Sequence, residues 1–220
     1  MTDNVVIFGN GKIASLVWYC LSHDSPWCVK GFAVDRAYLK DAVHEGLPVV
    51  AFEDLPSLYP PAEVRLIIPL GYTHINGLRR ERYMQAKALG YGFASYVSKR
   101  ASIWPDLQIG ENCLIYEQAI IQPFARLGDN VIVRSGAYIS HHCVLGSHTF
   151  VGGRATLGGY VHTGEQAVIG LSAVIRPGIH LAERSFAGVG AVVVANTEPD
   201  AVYLGNPARK ITKSAMEATC

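Results

Sequence analysis

The sequence predicts a small α/β domain followed by a parallel β-helix, and three observations carry that expectation. The first is a period of six. Counting in sixes from Ile103 lands on Ile109, Ile115, Ile121, Leu127, Val133, Ile139, Leu145, Val151 and Leu157. The count misses once, at Thr163, resumes on Ile169, Ile175 and Leu181, and passes through Ala187 to Val193. The second is a small residue two positions before many of these, as at Cys113, Ala119, Ala125, Ala137, Cys143, Ala155, Ala167, Ala173 and Ala191. A period of six fits neither a helix nor a simple strand; it is the signature of hexapeptide coils. The third is an alternation of short apolar runs with helical patterns before the repeat begins. That alternation implies right-handed βαβ units and a parallel sheet.

Taken in order, Val5 to Phe8 reads as a strand, Gly9-Asn10-Gly11-Lys12 as a glycine turn, and the spacing of Ile13, Leu16, Val17, Cys20 and Leu21 as a helix. Trp27 to Val34 is a second strand, closing on Asp35. Leu47 to Val50 is a short extended piece, and Glu53-Asp54-Leu55 opens a short helix before Pro60-Pro61. Val64 to Leu70 is the third strand, Ile75 to Leu89 a helix ending at Gly90, and Phe93 to Val97 the last strand. The expected divisions are a substrate-binding α/β domain at 1–97, a β-helix of about five coils at 98–195, and a tail at 196–220 that carries Gly205-Asn206-Pro207-Ala208-Arg209-Lys210 and, beyond Ile211, weak helical character. The count is unbroken from Ile103 to Val193, so no long loop leaves the coils, and residues eighteen apart stack.

Among the 220 residues, half are hydrophobic, and 19 basic against 18 acidic residues leave a net charge of +1. No basic stripe argues for nucleic acid, no polybasic cluster for a membrane surface, and no apolar run is long enough to span a bilayer. The start of the chain lacks the basic region of a signal peptide. A cytoplasmic protein is expected, with Cys20, Cys28, Cys113, Cys143 and Cys220 as reduced thiols.

The chemistry concentrates in a few places. The stacking column through His141 reads Pro105, Pro123, His141, Gly159, Pro177. A histidine beside a glycine-lined groove suits a general base near neutral pH. The bland alternative is a surface histidine on a turn. His142 either orients His141 or lies against the aromatics of its own column, Phe124 and Tyr160. His148 and His162 read as solvated turn residues. Zinc held by His141, His142 and Cys143 is disfavoured because successive side chains of extended chain point to opposite faces; no metal is expected. The Gly9-Asn10-Gly11-Lys12 turn at a helix N-terminus favours a phosphate, and Asp35 a ribose or sugar hydroxyl, although any βα turn wants glycine. The dinucleotide fingerprint has Ala14 at its third glycine, which disfavours NAD. Arg209 and Lys210 read as a phosphate contact or as a solvated cationic tail.

The chain resembles the sugar acetyltransferases of the left-handed β-helix superfamily, in the group with a small Rossmann-like N-terminal domain that binds nucleotide sugars. That group includes sialic acid O-acetyltransferases and bacillosamine-pathway N-acetyltransferases. The resemblance rests on Val5-Val6-Ile7-Phe8-Gly9, the repeat, Ile139-Ser140-His141-His142-Cys143-Val144-Leu145-Gly146, and Gly205-Asn206-Pro207-Ala208-Arg209-Lys210. It implies left-handed coils, a homotrimer, acetyl-CoA bound between neighbouring β-helices, and His141 as base. It implies further that Gly159 lies beside the thioester, that Leu171 and Val189 line the pantetheine arm, and that Arg209 and Lys210 face coenzyme phosphates. Asp35 matches an acidic strand end of the family. Two positions depart from the family: His142 stands where an acidic residue is usual, and Arg134 where Asn is frequent. The expected activity is acetyl transfer to an amino or hydroxyl group of a free or nucleotide-linked sugar. Another acyl donor and a non-catalytic trimeric binding module are the alternatives.

Overall fold

In a computed structural model the described residues are 3–219; of the five expected thiols, Cys220 lies outside them. The other four cysteines are unpaired, with Cys113 and Cys143 buried. Strands β1 (Asn4–Phe8), β2 (Cys28–Val34), β3 (Val43–His44), β4 (Leu47–Ala51) and β5 (Arg65–Ile67) form one sheet in the order β3-β4-β2-β1-β5. All its pairings are parallel except the short β3–β4 hairpin. Helices α1 (Lys12–Asp24), α2 (Leu55–Leu58) and α3 (Gly77–Ala88) connect the strands. Val5, Ile7 and Phe32 are fully buried, because a parallel sheet covered on both faces needs continuous apolar strands.

The expected last strand of this sheet divides instead. Phe93 bridges to Leu66. Strand β6 (Tyr96–Val97) pairs with β8 (Leu114–Ile115), a rung of the coils. From β7 (Gln108–Ile109) to β21 (Val192–Val193) the chain makes two-residue strands at every hexad, each pairing in parallel with a strand eighteen residues before or after it. They stack into three walls, and the parallel coils fit a left-handed β-helix. The residues on the six-count fill its interior with the small residues before them. Thr163, the one miss, is buried too. Its hydroxyl accepts from the Gly146 N–H at 3.0 Å and shares a bond with the Thr149 hydroxyl at 3.0 Å, so a polar residue sits satisfied in an apolar stack.

One wall carries apolar residues outward as well as inward. Leu114, Ile132 and Phe150 on it pack against Val5, Ile7, Val17 and Phe32, which makes the joint with the α/β region a second core. Arg79 of α3 reaches into that joint fully buried and donates to the His148 carbonyl at 2.7 Å. His148 is therefore not solvated as expected; it is 5% exposed. It ends a buried ladder in which Asn112 donates to Asn130 at 2.7 Å and Asn130 meets His148 Nδ1 at 2.8 Å. The wall that the α/β region covers takes this corner out of water.

The first part of the tail pairs as strands, and the expected helical character is found only near its end. Strands β22 (Ala201–Gly205) and β23 (Ala208–Ser214) form an antiparallel hairpin. The first strand pairs with β20 (Phe186–Ala187), closing the open edge of the longest wall. A single turn, α4 (Ala215–Ala218), follows behind a capping box of Ser214 and Glu217. No helix among the described residues is long and apolar enough to cross a membrane.

Candidate active site

Each hexad turns its corner with one left-handed residue. Gln118, Phe124, Asn130, Gly136, His142, His148, Arg154 and Tyr160 all have φ between 57° and 71°. The corner between β12 (Tyr138–Ile139) and β13 (Val144–Leu145) carries Ser140-His141-His142. Gln122, one coil earlier, anchors it: its Oε1 accepts from the Ser140 hydroxyl at 3.0 Å and from the His141 N–H at 3.2 Å. The two imidazoles meet Nδ1 to Nδ1 at 3.2 Å. His142 lies between Phe124 and Tyr160, at 4.7 and 4.9 Å between centroids, and Tyr160 also closes on His141 edge-on at 5.1 Å. The left-handed column at this corner thus stacks aromatic on aromatic and fixes the orientation of the pair.

Above His141 the chain has no side chain. A Cβ at Gly159 would stand 2.6 Å from Cε1 and 2.9 Å from Nε2 of His141, a separation no packed atoms tolerate. Only glycine leaves this imidazole its place. Beside the corner opens a cavity of about 380 Å³ lined by Asp106, Phe124, Arg126, His142 and Val144. Leu171 and Val189 project into solvent, 56% and 67% exposed, at a different corner. They precede the wall that contains β12, whereas His141 follows it. One chain therefore does not bring them together with His141. Between the two corners the same wall exposes Ile120 and Val174.

The remaining candidates lie apart. Gly9, with φ of 108°, turns the chain out of β1 while its N–H bonds the Ala33 carbonyl at 2.7 Å. Gly11 caps α1 without a side-chain bond, and no acidic residue occupies the first turn, so the helix N-terminus is open. Gly9, Gly11 and Lys12 line a cavity of about 290 Å³, and Asn10 is half-buried beside them. Asp35 lines a different one, of about 690 Å³, and is held by Arg82 at 2.9 Å. Lys210 pairs with Glu198 at 2.5 Å, and the exposed Arg209 donates to the carbonyl of Ala208. No three His, Cys, Asp or Glu side chains among the described residues gather as a metal-ligand set.

Gln122 escaped the sequence reading, although its place eighteen residues before Ser140 marks it as the residue beneath. The hydrogen-bonding position of His142 depends on its left-handed corner conformation, and residues as different as Gln118, Phe124 and Arg154 take the same conformation at the other corners, so residue type gives no signal for it.

Residues 106–141 and 124–159 match the bacterial transferase hexapeptide family (six repeats). No curated protein matches the chain significantly. Among solved structures the chain is similar to PerB from Caulobacter crescentus, crystallised with CoA and GDP-perosamine. The identity is 27% and the TM-score 0.85, over 94% of this chain and 97% of that one. It is similar to the acetyltransferase domain of PglB from Neisseria gonorrhoeae at 25% identity and TM-score 0.84, over 96% and 100%. WeeI from Acinetobacter baumannii, at 21% identity and TM-score 0.81 over 94% and 99%, shares the fold.

Proposed function

We infer that this hexapeptide-repeat acyltransferase moves the acetyl group of acetyl-CoA onto an amino group of a nucleotide-linked sugar, with His141 as general base. The observation that carries the reading is the His141 ring seated directly against the Gly159 backbone, where any side chain would displace it, with its Nδ1 held by His142. The choice of an amine is supported by the likeness to perosamine N-acetyltransferase from Caulobacter crescentus. Acetyl-CoA supplies an activated acyl carbon with a thiolate as leaving group. When His142 accepts at Nδ1, His141 carries its proton on Nδ1 and presents a bare Nε2. That nitrogen takes the proton of the attacking amine, and the same proton leaves with the departing thiolate, so the enzyme ends unchanged. The N–H of Gly159 makes no backbone bond among the described residues and is the proposed donor to the developing oxyanion. Cys143 is buried, and burial pushes its thiol above its ordinary value, so no nucleophilic role is assigned to it.

We assign the α/β region to the nucleotide, with the open α1 N-terminus, Gly9, Asn10, Gly11 and Lys12 for phosphate. Asp35, which Arg82 holds at 2.9 Å in a separate cavity, is assigned to a ribose or sugar hydroxyl. The separation of Leu171 and Val189 from His141 within one chain supports a homotrimer in which the coenzyme arm lies between one copy's His141 and the next copy's Leu171 and Val189. Arg209 and Lys210 are assigned to the coenzyme phosphates. Replacing His141→Ala is expected to lower kcat roughly 10²–10⁴-fold, whereas Cys143→Ala retains it, measured as thiol release from acetyl-CoA with nucleotide-linked amino sugars. Full activity of His141→Ala ends this mechanism.

A further inference from the structure

We propose that Arg134 and Tyr116 form an oxyanion receptor at the inner end of the groove between the Gly9–Lys12 turn and the β-helix, reading a charged group on the acceptor. The inference rests on the reading that this groove takes the acceptor.

Tyr116 is 1% exposed, and its buried phenol finds no acceptor for its proton among the described residues, since the group beside it, Arg134, offers only donors. A buried hydroxyl left unpaired is uncommon in folded proteins and points to a missing partner. The Arg134 guanidinium lies over the Tyr116 ring, 4.2 Å from its centroid. Arg134 forms no ion pair among the described residues, and the neighbouring carboxylate, Glu117, is engaged by the Ser135 hydroxyl at 2.7 Å. An unneutralised cation and an unused donor therefore share one wall of a cavity of about 200 Å³, faced by Ile13, Gly71, Tyr72 and Phe150. That cavity has Ile13, Pro69 and Gly71 in common with the cavity at the open end of α1, so the two run together.

Arginine offers only donors, in a planar fork that matches the two oxygens of a carboxylate or phosphate. Tyr116 supplies a third donor: burial pushes its phenol up to about 12, so it keeps its proton at neutral pH. An acceptor-rich, negatively charged group satisfies all three; a neutral hydroxyl leaves the cation unpaired. The group is either the diphosphate of a nucleotide-linked sugar or a carboxylate on the sugar itself.

Isothermal titration of the full chain tests this with uridine diphosphate, inorganic pyrophosphate, glucuronate and, as the neutral probe, methyl glucoside. At least one anion is expected to bind and to weaken with salt. Arg134→Gln is expected to weaken it about ten-fold or more, Arg134→Lys and Tyr116→Phe by less, with affinity for coenzyme A unchanged. Loss confined to the two phosphates identifies the diphosphate; loss with glucuronate identifies a sugar carboxylate. Anion affinities unmoved by all three substitutions, no anion binding to the wild type, or an equal loss with methyl glucoside overturns the proposal. Should Arg134→Gln melt early, the Lys and Phe variants carry the comparison. Acetyl transfer by the wild type with no dependence of anion binding on Arg134 sinks this inference alone. Anion binding that depends on Arg134 in a protein that transfers no acetyl group sinks the functional reading and leaves the receptor standing.

Discussion

At Gly159 the absent side chain decides where His141 stands. A methyl group there would press on Cε1 and Nε2 together. The ring would have to swing off its contact with Tyr160 or break its bond to His142. Misplacing a base by an ångström costs orders of magnitude in rate. Gly159→Ala is therefore expected to lower kcat at least about ten-fold, with a melting temperature close to the wild type's, because Gly159 has an ordinary φ and its carbonyl still accepts from Gly178. Steady-state kinetics beside a thermal melt check it; unchanged turnover would show that the contact with Gly159 does not bear on the base. The His141–Gly159 stack was legible in the sequence because residues eighteen apart superpose. The Nδ1–Nδ1 contact was not, since it depends on a left-handed φ of 57° at His142 that a hexad count does not encode.

At the scale of elements, the joint between the α/β region and the covered wall is the most demanding part of the molecule. It buries Arg79, Asn76, Asn112, Asn130 and His148. Burial pushes the His148 imidazole down from 6.5 to about 4, and the Arg79 and Arg80 cations push the same way against Asp129. A base whose pKa is depressed on folding stabilises the native state fully above its unfolded value, and that contribution is lost as pH falls from 6.5 toward 4. The shift corresponds to about 3 kcal/mol across that window. Melting temperature is expected to fall over this range in the wild type and to fall less steeply in His148→Gln. Identical slopes would remove His148 from the acid response. The inward face of the covered wall was readable in the six-count. Its outward face was not, because a corner histidine on a covered wall and one on an open wall have the same local sequence. The β22–β23 hairpin escaped for a related reason: outside the repeat there is no period, and the exposed Arg209, Lys210, Thr212 and Lys213 of its second strand read as a polar tail.

For the whole molecule, the unbroken coil has a consequence for how its length can change. Hydrogen-bonded partners along it are spaced by eighteen residues, as between Asn112 and Asn130 or Ser135 and Glu117. The corners recur every six. An insertion of one residue turns inward side chains outward from that point on. An insertion of six keeps the core filled but rotates everything beyond it by one wall, carrying downstream corners away from the faces they serve. Only eighteen restores both the packing and the compass bearing of each corner. Duplicating residues 160–177 as a block is expected to give a folded protein with a cooperative melt, whereas one extra residue after Glu165 gives an aggregated one, as size-exclusion chromatography would report. Lengthening by whole turns is then the form of growth open to this architecture, as a screw lengthens by its pitch.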